Sequence, residues 1–239
     1  MPIVDAAAGS RVEEIEGGLF QIHLPVPGIL GGFSFNQYLV VDDEPLLFHT
    51  GPRAMAPLVQ KAIAHVMPLE RLRHIAYSHC ESDECGGMNA LLAAAPLAVP
   101  VTGKVGTMLN ADLADRPGRA LAHGEVLVTG RRRLRWLDTP HLPHGWECGY
   151  LFEESTRTLL CGDLFTQPGA EGPALTEQDV LGPSEALRGQ LDYYAHSPRS
   201  GALLAELAAL GPTTLACMHG SAWRGDGAAL LRELAGRIG

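Results

Sequence analysis

The chain has 239 residues, 46% of them hydrophobic as is usual for a packed globular protein, and a formal net charge of −9 at neutral pH. The acidic excess argues against a nucleic-acid partner, because binding to phosphate backbones requires clustered Lys and Arg. There is no apolar run of about 18 residues that would span a membrane, no secretion signal and no disulfide-like cysteine spacing, so we expect a cytoplasmic protein.

The predicted elements alternate between strands and helices along the chain. Strands are predicted where apolar residues alternate or form short runs, and helices where they recur every three or four positions. In chain order these are strands at 12–15, 19–24, 36–41 and 45–50, a helix at 55–66, a strand at 74–78, a helix at 88–95, strands at 99–101, 125–129, 134–137, 149–153 and 158–161, a helix at 203–210, a strand at 213–217 and a helix at 228–238. Two successive strand-rich halves that each end in helices predict an α+β fold, an αββα four-layer sandwich, formed by a single domain at 1–239.

The most informative stretch is the run SHCESDECGG at residues 78–87. His79, Glu81 and Asp83 alternate there directly after a short apolar strand, and Glu84 follows at once. Because strand residues alternate faces, a chain that leaves a strand end can aim positions i, i+2 and i+4 into one cavity. Carboxylates brought together in this way repel one another unless a cation lies among them. The run therefore predicts a metal site with nitrogen and oxygen ligands.

Three further candidate ligands lie at strand ends or in turns rich in glycine and proline. Asp163 and His219 each follow a predicted strand, and His144 lies in the turn TPHLPHG. A glycine beside each allows close approach of the backbone, and side chains at neighbouring strand ends converge on one cleft. His141, three positions before His144 in the same turn, could take its place as a ligand.

In order and spacing these residues resemble the metal ligands of the metallo-β-lactamase superfamily. Within the superfamily they resemble those of the diiron branch, which comprises the flavodiiron proteins and their single-domain oxygen-binding relatives. Hydrolases of the superfamily read His-x-His-x-Asp-His, whereas the diiron branch reads His-x-Glu-x-Asp, as this chain does at 79–83. Asp83 lies 61 positions before His144, which lies 19 positions before Asp163. His219 follows 56 positions later, and the diiron branch carries the same residue types at similar distances.

The resemblance implies a site for two iron ions, with zinc or manganese as alternatives. Its ligands would be His79, Glu81 and His144 on the first metal, Asp83 and His219 on the second, and Asp163 bridging both. Two metal ions about 3.5–4 Å apart need such a bridging carboxylate to offset their repulsion. Three imidazoles with three carboxylates form a harder ligand set than the His-rich zinc sites, which favours iron or manganese.

The chain departs from the pattern of the branch at two positions. Glu84 replaces the usual His next to Asp83, and it either adds a carboxylate ligand to the second metal or points away. His49 replaces the Asp that usually ends its strand beneath the site, and it could hydrogen-bond a ligand. His141, and Tyr194 or its neighbour Tyr193, are further candidates for delivering a proton or a hydrogen bond to a bound oxidant.

The resemblance implies a non-haem diiron oxidoreductase that binds and reduces dioxygen, nitric oxide or peroxide. A separate protein would supply its electrons, because no flavodoxin-like half and no Cys-x-x-Cys pair follow, and relatives without that half allow a homodimer. The alternatives are a binuclear metal-dependent hydrolase of the same fold and an oxygen sensor without turnover. Glu81 and Glu84 stand where hydrolases carry His, and added carboxylates reduce the Lewis acidity with which a metal activates water.

Overall fold

Two mixed sheets dominate residues 3–238, the part of the chain that the computed structural model describes. Within it, the first sheet has eight strands that neighbour one another in chain order: β1 (Ile3–Asp5), β2 (Ser10–Glu16), β3 (Leu19–Val26), β4 (Phe33–Val40), β5 (Leu46–Phe48), β6 (His74–Ala76), β7 (Val99–Gly103) and β8 (Arg119–Leu121). The second sheet has seven strands in the spatial order β13 (Leu175–Thr176), β15 (Ala222–Arg224), β14 (Thr214–Ala216), β12 (Thr158–Leu160), β11 (Gly149–Glu153), β10 (Arg133–Asp138) and β9 (Val126–Val128).

Helices cover the outer faces of the sheets and connect their strands. They are α1 (Ala56–Val66), α2 (Ser82–Cys85), α3 (Met88–Ala94), α4 (Lys104–Leu109), α5 (Leu181–Leu191), α6 (Ser200–Ala209) and α7 (Gly227–Ile238). Over residues 3–238, no helix is both long enough and apolar enough to cross a membrane.

Alternation along the strands sends opposite faces of each sheet into different cores. In β5, Leu46 and Phe48 point between the two sheets, whereas Leu47 packs in the core beneath α1 and α3. In β11, Leu151 points between the sheets, whereas Tyr150 packs in the core that α6 and α7 cover. The layers therefore run helix, sheet, sheet, helix, which confirms the predicted αββα sandwich.

Each predicted strand and helix overlaps an observed element, but the path of the chain after β6 differs from the expectation. Glu81 is extended, with φ −124° and ψ 166°, and the next four residues form α2. The expected strand-like alternation through Asp83 is therefore wrong. A helical turn allows the consecutive residues Asp83 and Glu84 to project toward one site, which a strand would prevent. Elements that the sequence did not predict are β1, β8, β13, β15, α2, α4 and α5.

Three of the candidate ligands follow the carboxyl ends of strands. His79 comes after β6, which pairs in parallel with β5 and β7, and Asp163 comes after β12. His219 comes after β14, which pairs in parallel with β12. Because the carboxyl ends of parallel strands meet at one edge of a sheet, the fold brings these side chains together at one edge of the sandwich.

Candidate metal centre

The loop that carries four of the candidate ligands is held against the turn after β5. The backbone N–H of Thr50 donates to the Glu84 carbonyl at 2.8 Å, and the N–H of Gly87 donates to the Thr50 hydroxyl at 3.0 Å. A Cβ on Gly87 would lie 2.8 Å from the Thr50 carbonyl oxygen, and one on Gly86 would lie 2.2 Å from that of Ser82. The two glycines therefore permit a close approach that turns the Glu84 side chain inward.

The Asp163 carboxylate lies at the middle of the cluster. One oxygen, Oδ2, is 3.5 Å from Nε2 of His79 and 3.3 Å from Nε2 of His144. The other, Oδ1, is 3.3 Å from Nε2 of His219. The two oxygens of one carboxylate thus face two separate groups of histidine nitrogens, as a bridge between two metal ions would require.

The remaining candidate carboxylates are divided between these two groups of histidine nitrogens. Glu81 lies 3.1 Å from Nε2 of His144 and 3.6 Å from Nε2 of His79. Asp83 lies 3.6 Å from Nε2 of His219. Glu84 lies between the groups. One of its carboxylate oxygens is 4.0 Å from Nε2 of His79, and its carboxylate also lies near the Asp83 carboxylate and the His219 imidazole.

Several buried polar atoms of the cluster lack a hydrogen-bond partner, and a bound cation would provide one. Among residues 3–238, buried atoms of the cluster that make no hydrogen bond are Nε2 of His79, Nε2 of His144, Oδ1 of Asp163 and both carboxylate oxygens of Glu84. Buried polar atoms are normally paired, and several unpaired ones aimed at one space indicate a missing partner. Nitrogen and oxygen donors lie within 4.8 Å of one another in three overlapping groups, which could hold metal ions.

Comparison with known proteins places this arrangement in a family. A family model described as "ODP family beta lactamase" matches residues 33–220. The chain belongs to the ODP family. This membership confirms the assignment to the metallo-β-lactamase superfamily and its diiron branch that the sequence motifs indicated.

Individual relatives match the ODP-family chain over most of its own length. It is 25% identical over 206 residues to a rubredoxin-oxygen oxidoreductase of Megalodesulfovibrio gigas, covering 81% of this chain and 50% of the relative. It is 26% identical over 230 residues to a nitric oxide reductase of Moorella thermoacetica, covering 90% and 56%. The flavodiiron protein of Giardia intestinalis has the same fold, with a TM-score of 0.78 at 19% identity over 95% of this chain and 59% of that one. The chain thus spans about half the length of the curated relatives it matches.

Two of the histidines of this ODP-family chain are oriented by backbone carbonyls. Nδ1 of His144 lies 3.0 Å from the Tyr193 carbonyl oxygen, and Nδ1 of His219 lies 2.8 Å from that of Ser34. Because a carbonyl oxygen only accepts, each Nδ1 carries a proton and donates it, which leaves Nε2 free to bind a metal. The ring of Phe33 also packs on His219, with ring centroids 4.4 Å apart.

His79 is oriented by a chain of hydrogen bonds through Ser78 to His49. The backbone N–H of Ser78 donates to Nε2 of His49 at 3.4 Å, so that nitrogen is an acceptor, and the Ser78 hydroxyl donates to it at 2.9 Å. The same hydroxyl oxygen then accepts from Nδ1 of His79 at 2.9 Å. Burial lowers the pKa of His49 to about 3, so its ring stays neutral. This chain fixes the tautomer of His79 that presents Nε2 to the cluster.

We expect His49→Ala to weaken metal binding about 10–100-fold, since partners that orient a ligand histidine contribute at about that level. Competition with a coloured chelator would measure the affinity. His74→Ala is the matched control, because His74, at the start of β6, is also buried but pairs with Glu44 at 3.0 Å, away from the cluster. Equal losses of metal affinity in both variants would show that the loss comes from general destabilisation of the fold and not from the removal of His49.

Charges in the cluster shift several pKa values strongly. His144 and His79 stabilise the Glu81 carboxylate and lower its pKa to about 2. Burial opposes the charged ring of His144, but Asp163 and Glu81 outweigh it and raise its pKa to about 10. Burial also opposes the Asp163 charge, yet His144 and His219 hold its pKa well below the ordinary range. Without metal, the imidazoles keep protons beside ionised carboxylates, and a bound metal ion would displace those protons.

The structure brings together all seven residues expected to bind metal, links His49 to them through Ser78, and separates His141 and Tyr194 from them. His141 is exposed, and among residues 3–238 no hydrogen bond or ion pair joins its ring to the cluster. Tyr194 is buried and stacks edge-on against Tyr193, whose ring centroid is 6.0 Å from that of His144. Among the described ring contacts, the tyrosine that touches a candidate ligand is therefore Tyr193 and not Tyr194.

Sequence reasoning missed three residues that shape the site. Ser34 and Ser78 orient His219 and His79 as described, and Glu147 accepts the backbone N–H of Cys80 at 2.8 Å and so holds the loop after His79. A serine directly before the first ligand was a usable signal for Ser78. Nothing local indicated Ser34, which lies 185 positions from His219 in the chain.

Proposed function

We propose that this chain is a non-haem diiron protein that binds and reduces dioxygen or nitric oxide. The observation that carries the proposal is the Asp163 carboxylate, which turns one oxygen toward His79 and His144 and the other toward His219. The names of the two curated relatives, a rubredoxin-oxygen oxidoreductase and a nitric oxide reductase, support the choice of oxidant. Because the name of the first relative includes rubredoxin, the proposal includes a separate electron-donor protein.

In this proposal the cluster holds two iron ions. His79, Glu81 and His144 would hold the first, Asp83, Glu84 and His219 would hold the second, and Asp163 would be shared by both. Bound iron would supply the electrons and the open coordination positions that reduction of a small oxidant needs. Three imidazoles and four carboxylates make a hard ligand set that suits iron or manganese better than the His-rich set of zinc hydrolases.

The candidate ligands differ in their exposure to solvent, and Glu81 is the most exposed of them. Asp163, His219 and Glu84 are buried, whereas the Glu81 side chain is half exposed and His144 is partly exposed. A small oxidant would therefore enter beside Glu81 and His144. The ring of Phe33 packs on His219, with ring centroids 4.4 Å apart, and covers one face of that imidazole. His49 has a positioning role in this scheme, because its second ring nitrogen faces the Met218 sulfur at 2.9 Å rather than a path to solvent.

The test is the metal content and absorption spectrum of protein purified without oxygen from iron-supplemented cells. We expect about two irons per chain and a new visible band when air or nitric oxide is admitted. The same protein reconstituted with zinc is the control and should show no band. Two zinc ions in the purified protein, no oxygen-dependent band and hydrolysis of a generic ester or phosphodiester would replace the proposal with the hydrolase alternative.

A further inference from the structure

A cavity of about 330 Å³ lies beside the loop that carries the candidate ligands, outside the metal cluster itself. The segment from Tyr77 to Asn89 forms one side of it, and residues between Pro100 and Gly118 form the other. Its volume is in the lower part of the range of small-molecule sites. The cavity and the metal cluster share one residue, Glu81.

The wall of the cavity is mostly apolar and carries little charge. Apolar surface comes from Met88, Pro100, Ala111, Leu113 and Ala114, and no lining residue is Lys, Arg or His. The one carboxylate of the wall belongs to Glu81 and already faces a histidine of the metal cluster at 3.1 Å. An anion would be repelled by that carboxylate and would find no cation to pair with, while a cation would have to compete with the histidine.

Several polar groups of the wall already have partners within the protein. Nδ2 of Asn110 donates to the Tyr77 hydroxyl at 2.5 Å and to the Cys80 sulfur at 3.0 Å. The Thr102 hydroxyl donates to the Tyr77 carbonyl at 3.2 Å, and the Thr107 hydroxyl to the Gly103 carbonyl at 3.0 Å. A wall whose polar atoms are satisfied holds water weakly, and an apolar ligand displaces that water at little cost.

We propose that this cavity is a binding site for a small, uncharged, largely apolar organic molecule of one or two rings. The volume, the apolar wall, the lack of Lys, Arg or His among the lining residues and the engagement of the Glu81 carboxylate with His144 together select that class of ligand. Cys80 and Cys85, which both line the cavity, bracket three of the candidate metal ligands in the chain. A bound molecule therefore contacts the backbone of the ligand loop while leaving the metal positions free.

The first experiment compares two uncharged probes, indole and 3-ethylindole, with two charged ones close to 3-ethylindole in size, indole-3-acetate and tryptamine. The ¹³C-labelled methyl group of Met88 lines the cavity and reports occupancy, with its signal assigned from Met88→Leu. We expect a saturable shift with indole in both metal-free and metal-loaded protein. The charged probes should bind about tenfold more weakly or not at all, because burying an unpaired charge is costly.

The second experiment fills the cavity. Ala114→Phe should weaken indole binding about tenfold or more, since the added ring occupies the space of the ligand. Ala64→Phe, on the exposed face of α1, is the matched control and should leave binding unchanged. Gly118→Leu is a second filling variant, because a Cβ added there meets its nearest atom at an ordinary 3.4 Å.

Three results would overturn the proposal: no saturable shift of the Met88 signal, unchanged binding in the folded filling variants, or equal binding of the charged probes. None of these results depends on which metal the cluster holds. Binding of indole to the metal-free protein would stand even if the iron assignment failed, so the two proposals are tested separately.

Discussion

Asp163→Ala is expected to reduce the metal content of the protein from about two ions per chain to one or none. Both oxygens of Asp163 are engaged with the cluster, Oδ2 with His79 and His144 and Oδ1 with His219. Removing them deletes the only carboxylate among the described residues that faces both groups of histidines at 3.5 Å or less. Two dications at bridging distance then repel without an intervening negative charge, so the pair cannot be held together.

Elemental analysis after reconstitution with excess ferrous iron and desalting would measure this loss. Asp163→Asn keeps the shape of the side chain but removes the charge, and it should retain at most one ion. Asp192→Asn is the surface control, because the exposed Asp192 pairs with the exposed His196 at 2.9 Å and already adopts a left-handed backbone conformation that asparagine tolerates. Two tightly held ions in Asp163→Ala would contradict the bridging assignment.

Much of the fold follows from local sequence signals, and the elements that were missed lack them. The β4–β5 hairpin was predictable because two short apolar runs flank an acidic turn, and α1 was predictable from regular apolar spacing. Helix α5 was missed because Gly182 and Pro183 at its start are typical of a loop. A proline in the first helical turn loses no hydrogen bond, so the helix forms when Leu181 and Leu187 are buried by the rest of the chain.

The membership of the site was predictable from residue types and strand ends, whereas its inner geometry depended on distant contacts. The choice between His141 and His144 is made by the carbonyl of Tyr193, which lies 49 positions after His144. The sequence could not reveal that contact. The prediction for Glu84 stayed open for a similar reason. Alternation in a strand would have turned the Glu84 side chain away from that of Asp83, whereas the observed helical turn α2 projects both side chains toward one site.

Glu84→Met is expected to stabilise the metal-free protein and to weaken its hold on the second metal. Glu84 is fully buried, and neither carboxylate oxygen has a hydrogen bond among residues 3–238. Burial, and then the nearby charge of Asp163, raise its pKa well above the ordinary range. Replacing an unpaired buried acid by an apolar side chain of similar volume should raise the free energy of unfolding by about 1–3 kcal/mol in the presence of a chelator.

With iron present, the sign of the effect should reverse. A carboxylate that is costly without metal becomes a ligand when a cation occupies the cluster, so its loss should weaken the second iron about tenfold or more. Urea unfolding with chelator and with ferrous iron would give the two free energies, and competition with a coloured chelator would give the affinity.

Glu147→Met separates this reversal from the general effect of removing a buried acid. Glu147 is also buried, but its carboxylate accepts the backbone N–H of Cys80 at 2.8 Å. Its removal leaves a donor unpaired and should destabilise the protein with and without metal. If Glu84→Met instead destabilised the metal-free protein as Glu147→Met does, then Glu84 would be a structural residue and not a metal ligand. If the sign of the stability change reversed for Glu84→Met alone, then Glu84 would be an acid that destabilises the metal-free protein and contributes to metal binding.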